Sequence, residues 1–167
     1  MTGPSAYDVA ALVVDPELPM LTLADLGVLR DVAERDGVGG RVTVTITPTY
    51  SGCPAMATMR DDLVHALRDH GYDDVQVAVS LTPAWSSDWI SARGRAALAE
   101  HGISPPSAAP RHDGPVALSL WATRRTTTCP RCGSAQVALV SEFGSTACKA
   151  LYRCTSCLEP FDHVKEI

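Results

Sequence analysis

The chain has 167 residues, 46% hydrophobic and 20% charged, with a formal net charge of −5. Such a composition can fill a globular core, no apolar run approaches the roughly 18 residues a membrane span needs, and neither half carries the basic stripe that nucleic-acid binding requires. Charge is unevenly spread: the first 100 residues hold 7 arginines against 14 acids, a net of −7, and the remainder carries +2. Met1–Ala6 shows neither the basic start nor the apolar stretch of a signal peptide. A cytoplasmic protein with no membrane and no nucleic-acid partner is therefore expected. In a reducing cytosol its six cysteines read as metal ligands or redox-active thiols rather than structural disulfides.

In chain order, Ser5 is a candidate cap for a short amphipathic helix bearing Tyr7, Ala10, Ala11, Val13 and Val14, which the prolines of Asp15-Pro16-Glu17-Leu18-Pro19 end. Val28–Arg35 reads as a strand and residues 36–40 as a hairpin turn. Arg41–Pro48 is the clearest strand, with Val42, Val44 and Ile46 on one face and threonines on the other. After Thr49-Tyr50-Ser51-Gly52 the period turns helical: Met56, Met59, Leu63, Val64 and Leu67 repeat up to Gly71, which stops the helix. Val75–Leu81 reads as a third strand. Trp85–Ala99 is expected to hold another helix, capped by Ser87 or Asp88, with Gly94 weakening it. Residues 103–115 contain four of the twelve prolines and almost nothing large and apolar, so they read as a linker. A smaller domain follows from Val116, with hairpin strands around Gln136–Glu142 and Ala150–Arg153. The expected fold is α+β: a small mixed or antiparallel sheet with flanking helices over 5–102, the linker 103–115, and a C-terminal zinc ribbon over 116–167.

Cys129-Pro130-Arg131-Cys132-Gly133 and Cys154-Thr155-Ser156-Cys157 carry the strongest chemical signal. Two residues between cysteines let a tight turn aim both sulfurs at one cation. Glycine after the second cysteine suits the backbone that turns N–H groups toward the thiolates. Four such sulfurs suit structural zinc with no open coordination position. A rubredoxin-like iron site has the same spacing, and two unrelated pairs are the plainest alternative. A segment this short cannot bury enough apolar surface to fold alone, so a metal would stand in for a core. Cys148 lies out of phase with both pairs. It reads either as a small buried hydrophobe or as a thiol with its own role.

Cys53 sits between the best strand and the best helix. Pro54 fits the first helical position, which would put Cys53 near the N-cap, where the helix's positive end favours thiolate over thiol. Metal or cluster ligation, nucleophilic attack and an inert buried thiol all remain open for it. Asp15 and Glu17 read by themselves as solvated turn carboxylates.

Asp15-Pro16-Glu17-Leu18-Pro19, Asp25-Leu26-Gly27-Val28 and Thr49-x-Ser51-Gly52-Cys53-Pro54 together resemble the iron–sulfur assembly domain of bacterial SufT-like and eukaryotic cytosolic iron–sulfur targeting factors. Phe143-Gly144-Ser145-Thr146-Ala147-Cys148-Lys149-Ala150-Leu151-Tyr152-Arg153-Cys154, followed by Glu159-Pro160-Phe161-Asp162, narrows this. The chain resembles the PaaD family of accessory proteins of the phenylacetyl-CoA epoxidase system from about Tyr7 onward. The resemblance implies an iron–sulfur assembly-type domain joined to a four-cysteine zinc ribbon, in a non-catalytic accessory or maturation factor of aerobic phenylacetate degradation. The implied partners are the di-iron oxygenase subunit and the reductase subunit, which carries flavin and a [2Fe–2S] cluster. By position it assigns Cys53, Asp15, Glu17, Thr49 and Cys148 to a transient iron–sulfur cluster or iron, and Cys129, Cys132, Cys154 and Cys157 to Zn2+. One thiolate is too few for a stable cluster. A second chain in a homodimer, Cys148 or the client protein would have to supply the rest. Ser91-Ala92-Arg93-Gly94 departs from the proline-containing helix start expected of relatives.

The residues agree with a non-enzymatic role. The chain lacks a flavin or dinucleotide glycine motif and the paired Glu-x-x-His helices of a di-iron site. His65 and His70 read as surface or capping residues. Two other classes compete: a scaffold that binds oxygenase subunits through the ribbon and exposed Trp85 and Trp89, and a thiol enzyme using Cys53, for which no base is placed.

Overall fold

A run of β-branched residues at 42–47 organises the first of two sheets. The computed structural model describes residues 3–35, 40–107 and 127–167, and the chain divides into the units Met1–Ala97 and Leu98–Ile167. In the first, β1 (Leu29–Arg35), β2 (Arg41–Ile46) and β3 (Asp74–Val79) form a sheet in that order. β1 pairs antiparallel with β2, and β2 parallel with β3. A parallel pair needs a crossover, which α2 (Met56–Asp69) provides. Val42, Val44 and Ile46 are fully buried, as are Leu63 and Leu67 of α2. Each such side chain contributes roughly 1.5–3 kcal/mol over its exposed state.

Ser5 caps α1 (Ala6–Ala10) in a reciprocal box with Asp8. The helix stops four residues short of Val14, and Tyr7 and Val14 are exposed rather than part of an inward stripe. The cause lies beyond the helix. Val13 accepts the Leu23 N–H and Val14 bridges Thr22, so this backbone is extended to meet residues 21–23.

The expected helix over 85–99 is broken in two. A 3-10 turn, Ser87–Trp89, precedes α3 (Ala92–Glu100). Ser86 and Ser91 act as caps, not Ser87 or Asp88: Ser86 Oγ accepts the Asp88 N–H, and Ser91 Oγ accepts the Gly94 N–H at 2.9 Å. Extended Ile90 lets the Ser91 N–H reach the Asp25 carbonyl at 2.8 Å, which a continuous helix would forbid.

The second unit is an antiparallel sheet, β4 (Val137–Ser141), β5 (Lys149–Cys154) and β6 (Pro160–Val164), in that order. Its core gathers Cys129, Ala150, Tyr152, Cys154 and Phe161, with Val137 against them. The sequence pattern does not reveal β6, because a histidine occupies an inward position. His163 is fully buried, its Nδ1 3.2 Å from Ser104 Oγ and its Nε2 donating to Glu166 Oε1 at 3.2 Å. Burial would raise the Glu166 carboxyl, but the bonds from His163 and the Ser107 N–H hold it down to about 2. Ser104 also donates its N–H to Asp162 and pairs with His163. Residues 103–107 of the proline-rich segment therefore belong to this unit. Residues 108–115 of that segment, 116–126 of the anticipated ribbon and 36–39 of the anticipated hairpin turn lie outside the described residues. No helix among the described residues is long and apolar enough to cross a membrane.

Candidate functional site

The four sulfurs of Cys129, Cys132, Cys154 and Cys157 lie within 4.8 Å of one another. Cys129–Cys157 and Cys132–Cys154 are 3.7 and 3.6 Å apart. A tetrahedral ion with four sulfurs at about 2.3 Å sets them about 3.8 Å apart, so the donor set fits a closed zinc site. Local backbone prepares the thiolate of Cys154. The Cys157 N–H points at Cys154 Sγ at 3.4 Å and, with the Ser156 N–H, lowers that thiol to about 6. Cys129 and Cys154 are buried, whereas Cys132 and Cys157 are exposed.

The two knuckles share one construction. The Cys129 N–H donates to Ser134 O and the Cys154 N–H to Glu159 O, each 2.9 Å and each five residues on. Gly133 follows the first pair at φ +73, and Leu158 follows the second at φ +67. Glycine enters that region without strain, whereas a left-handed backbone costs an L-residue with a Cβ about 1–2 kcal/mol. Leu158 is nevertheless 59% exposed.

In the first unit, the structure gathers the expected assembly residues into two local turns. Asp15 is buried, not solvated: its Oδ1 accepts the N–H groups of Glu17 and Leu18 at 2.9 and 2.8 Å. Glu17 is exposed. Thr49 and half-buried Cys53 lie on the loop after β2. Cys53 is not the N-cap, because α2 begins at Met56 with Ala55 in that position. A tight turn intervenes, in which the Cys53 N–H donates to Tyr50 O and the Met56 N–H to Cys53 O, both at 3.3 Å. Pro54 therefore belongs to the turn and not to the first helical position.

Cys148 is half-buried on the β4–β5 turn, 3.1 Å from Thr146 Oγ1, and is not one of the four clustered sulfurs. His65 and His70 are exposed, and His70 Nδ1 lies 2.8 Å from Ala66 O at the end of α2. Trp85 is 4% exposed and donates Nε1–H to Leu26 O at 2.9 Å, so it is a core residue rather than a docking aromatic. Trp89 is half-buried beneath the Arg30 guanidinium, 3.6 Å from the ring centre.

The chain is 44% identical over 165 residues to a protein of Escherichia coli (strain K12) provisionally named as a component of 1,2-phenylacetyl-CoA epoxidase, spanning 97% of this chain and 93% of that one. The chain belongs to the PaaD family. The PaaD zinc beta ribbon domain matches residues 113–165, and the iron-sulfur cluster assembly protein domain matches residues 10–79. An Fe-S protein maturation auxiliary factor of Porphyromonas gingivalis (strain ATCC BAA-308 / W83) is 34% identical over 80 residues, 47% of this chain and 73% of that one. Among solved structures, a DUF59 domain of unknown function from Bacillus anthracis has a TM-score of 0.50 at 27% identity, covering 56% of this chain and 87% of that one. Read as a PaaD-family chain, the molecule joins an iron–sulfur assembly domain to a metal-binding ribbon.

Two residues of this PaaD-family chain escape sequence reasoning. Asp25 links its own turn to the start of α3 through Thr22, Ser91 and Arg93. Leu158 takes the glycine place of the second knuckle. A signal for Leu158 exists, since overlaying the two Cys-x-x-Cys turns sets it against Gly133. For Asp25 only Thr22 is a local partner; its links to Ser91 and Arg93, 66 and 68 residues away, leave no such signal.

Proposed function

We propose that this protein is a non-catalytic, cytoplasmic accessory factor of the multicomponent phenylacetyl-CoA epoxidase that helps load an iron–sulfur or di-iron cofactor into its oxygenase or reductase subunits. The observation that carries this reading is the union, in one PaaD-family chain, of an iron–sulfur assembly domain with a ribbon whose four sulfurs fit zinc. In this reading Cys129, Cys132, Cys154 and Cys157 hold a structural Zn2+ that shapes the docking module. Cys53 is a transient thiolate ligand on its turn, with Thr49 beside it in sequence and Asp15 and Glu17 in the neighbouring assembly motif. Cluster chemistry needs more ligands than one thiolate. Cys148, a second copy of the chain or the client supplies them.

The test is to mature the epoxidase with wild type or Cys53→Ser and to measure iron and acid-labile sulfide in the purified oxygenase and reductase. Occupancy should fall to about half or less in one of them, while the variant itself stays folded and keeps its zinc. Full occupancy in both would refute cofactor loading. Subunits that still co-purify with the variant would then favour a scaffold.

A further inference from the structure

The two outer strands of the first sheet meet water differently. β1 carries Arg30, Asp31, Glu34 and Arg35 and is bulged between Leu29 and Asp31. Charges and bulges keep a sheet edge from pairing. β3, Asp-Val-Gln-Val-Ala-Val, has one charge and no bulge. That charge, Asp74, is held by Arg41 Nε at 2.6 Å. Among the described residues no strand pairs with the far side of β3.

The Ser80 N–H donates to Ile46 O on β2, and successive residues of a strand turn their backbone groups to opposite sides. Gln76 and Ala78 therefore face β2, and the N–H and C=O groups of Val75, Val77 and Val79 face the open edge. The same valines form an apolar strip, in register with Val42, Val44 and Ile46. Those three are fully buried, but Val75 and Val77 are only half-buried and Val79 is 43% exposed. Such an edge is complementary to itself. With two copies antiparallel about a two-fold axis at Val77, Val77 meets Val77, and Val75 meets Val79 of the second copy. The outward groups of all three valines are then paired, in about six main-chain hydrogen bonds, and the apolar strips join. On the other face Gln76 meets Ala78, and Asp74 meets Ser80, so no like charges are opposed.

We propose that the open edge of β3 is the interface through which two copies of this chain pair, joining two three-stranded sheets into one. The symmetry of the strand about Val77, in both its apolar strip and its outward groups, singles out a second copy over a strand of unrelated sequence. The turn that carries Cys53 follows β2, and the two β2 strands would run in opposite directions. The two Cys53 turns therefore stand at opposite ends of the joined sheet, and neither copy lends that thiol to the other. In the accessory reading, further ligands then come from Cys148 or the client.

The experiment is sedimentation equilibrium of the zinc-loaded full chain, with amide exchange measured at low and high concentration. Wild type should pass from monomer to dimer as its concentration rises toward about 100 μM. The N–H groups of Val75, Val77 and Val79 should exchange more slowly in the dimer. Gln76 and Ala78 are exposed, so charges there leave the fold intact. Gln76→Lys combined with Ala78→Lys opposes lysines across the axis and should weaken the dimer about tenfold or more. Gln76→Glu combined with Ala78→Lys opposes unlike charges and should dimerise at least as well as wild type. The first 100 residues hold 7 arginines against 14 acids, so added salt should tighten the wild-type dimer by screening. Wild type that stays monomeric, a dimer that the two lysines leave unchanged, or valine amides whose exchange ignores concentration each overturns the proposal and leaves the accessory reading standing. Should the lysine variant fail to fold, the wild-type amides decide.

Discussion

Both carboxylate oxygens of Asp25 are engaged, although the residue is buried. Oδ1 accepts from Ser91 Oγ at 2.9 Å and Arg93 Nε at 3.0 Å, and Oδ2 from the Thr22 N–H and hydroxyl at 3.1 and 2.8 Å and from the Arg93 terminal nitrogen. The partners are unequal. The Arg93 side chain is 64% exposed, so losing it leaves only a carboxylate that still has hydroxyl and amide donors. Asp25→Ala should cost about 1–3 kcal/mol, because it removes the shared acceptor of the half-buried Thr22 and Ser91 donors. Arg93→Ala should cost less than about 1 kcal/mol. Urea midpoints of the two variants check the order, and equal losses would show that the ion pair, not the hydroxyl network, holds the turn. The next residues of the same motif act sterically. Leu26 offers its carbonyl to Trp85, and a Cβ on Gly27, at φ +68, would stand 2.5 Å from Trp89 Cβ. The Asp25-Leu26-Gly27 signature is thus a joint between a turn and the Trp85–Trp89 segment rather than a ligand set.

At the scale of elements, α3 shows how tertiary contact can reverse a local preference. Helix propensity alone says that Gly94→Ala in the first turn of α3 should stabilise, by up to about 1 kcal/mol. In the folded chain a Cβ there would lie 3.0 Å from the Asp25 carbonyl oxygen and 3.1 Å from Ile90 Cγ2. That carbonyl is held by the Ser91 N–H and has little room to retreat. Gly94→Ala should therefore lower stability by about 1 kcal/mol or more, read as a fall in thermal midpoint. A rise would mean that the Asp25 turn gives way more easily than its bonding implies. The same logic explains the break before α3, where one extended residue at Ile90 aligns Ser91 with Asp25. It explains β6 too, whose inward histidine is satisfied by Ser104 and Glu166 instead of being avoided.

Across the whole molecule, the two units rest on different physical grounds. Met1–Ala97 has a conventional apolar core of aliphatic side chains from its sheet and helices. The described core of Leu98–Ile167 is small and contains two of the four clustered cysteines, so metal ligation substitutes for apolar burial. Chelation should accordingly unfold β4–β6 and leave β1–β3 and α2 intact. Calorimetry should then show one transition lost or shifted far down and another unmoved, with amide exchange assigning each to its unit. A single transition that vanishes with the metal would contradict this division.

Much of this was legible because the determining interactions are local. Two residues between cysteines, alternation at Val42, Val44 and Ile46, helical spacing at Met59, Leu63 and Leu67, and the Ser5 cap each depend on neighbours a few positions away. The sequence alone therefore specified the knuckles, β2, α2 and the α+β class with its terminal ribbon. Only the tertiary structure decided that Asp15 is buried in a turn, that Trp85 is core, that Ser91 caps α3 and that Cys53 precedes the helix by a further turn. It also decided that His163 sits inside a strand, and that Leu158 adopts the conformation of a glycine. These depend on groups brought from distant parts of the chain, or on strain that the surrounding fold imposes on one residue. Local pattern carries no information about such groups until the fold has brought them together.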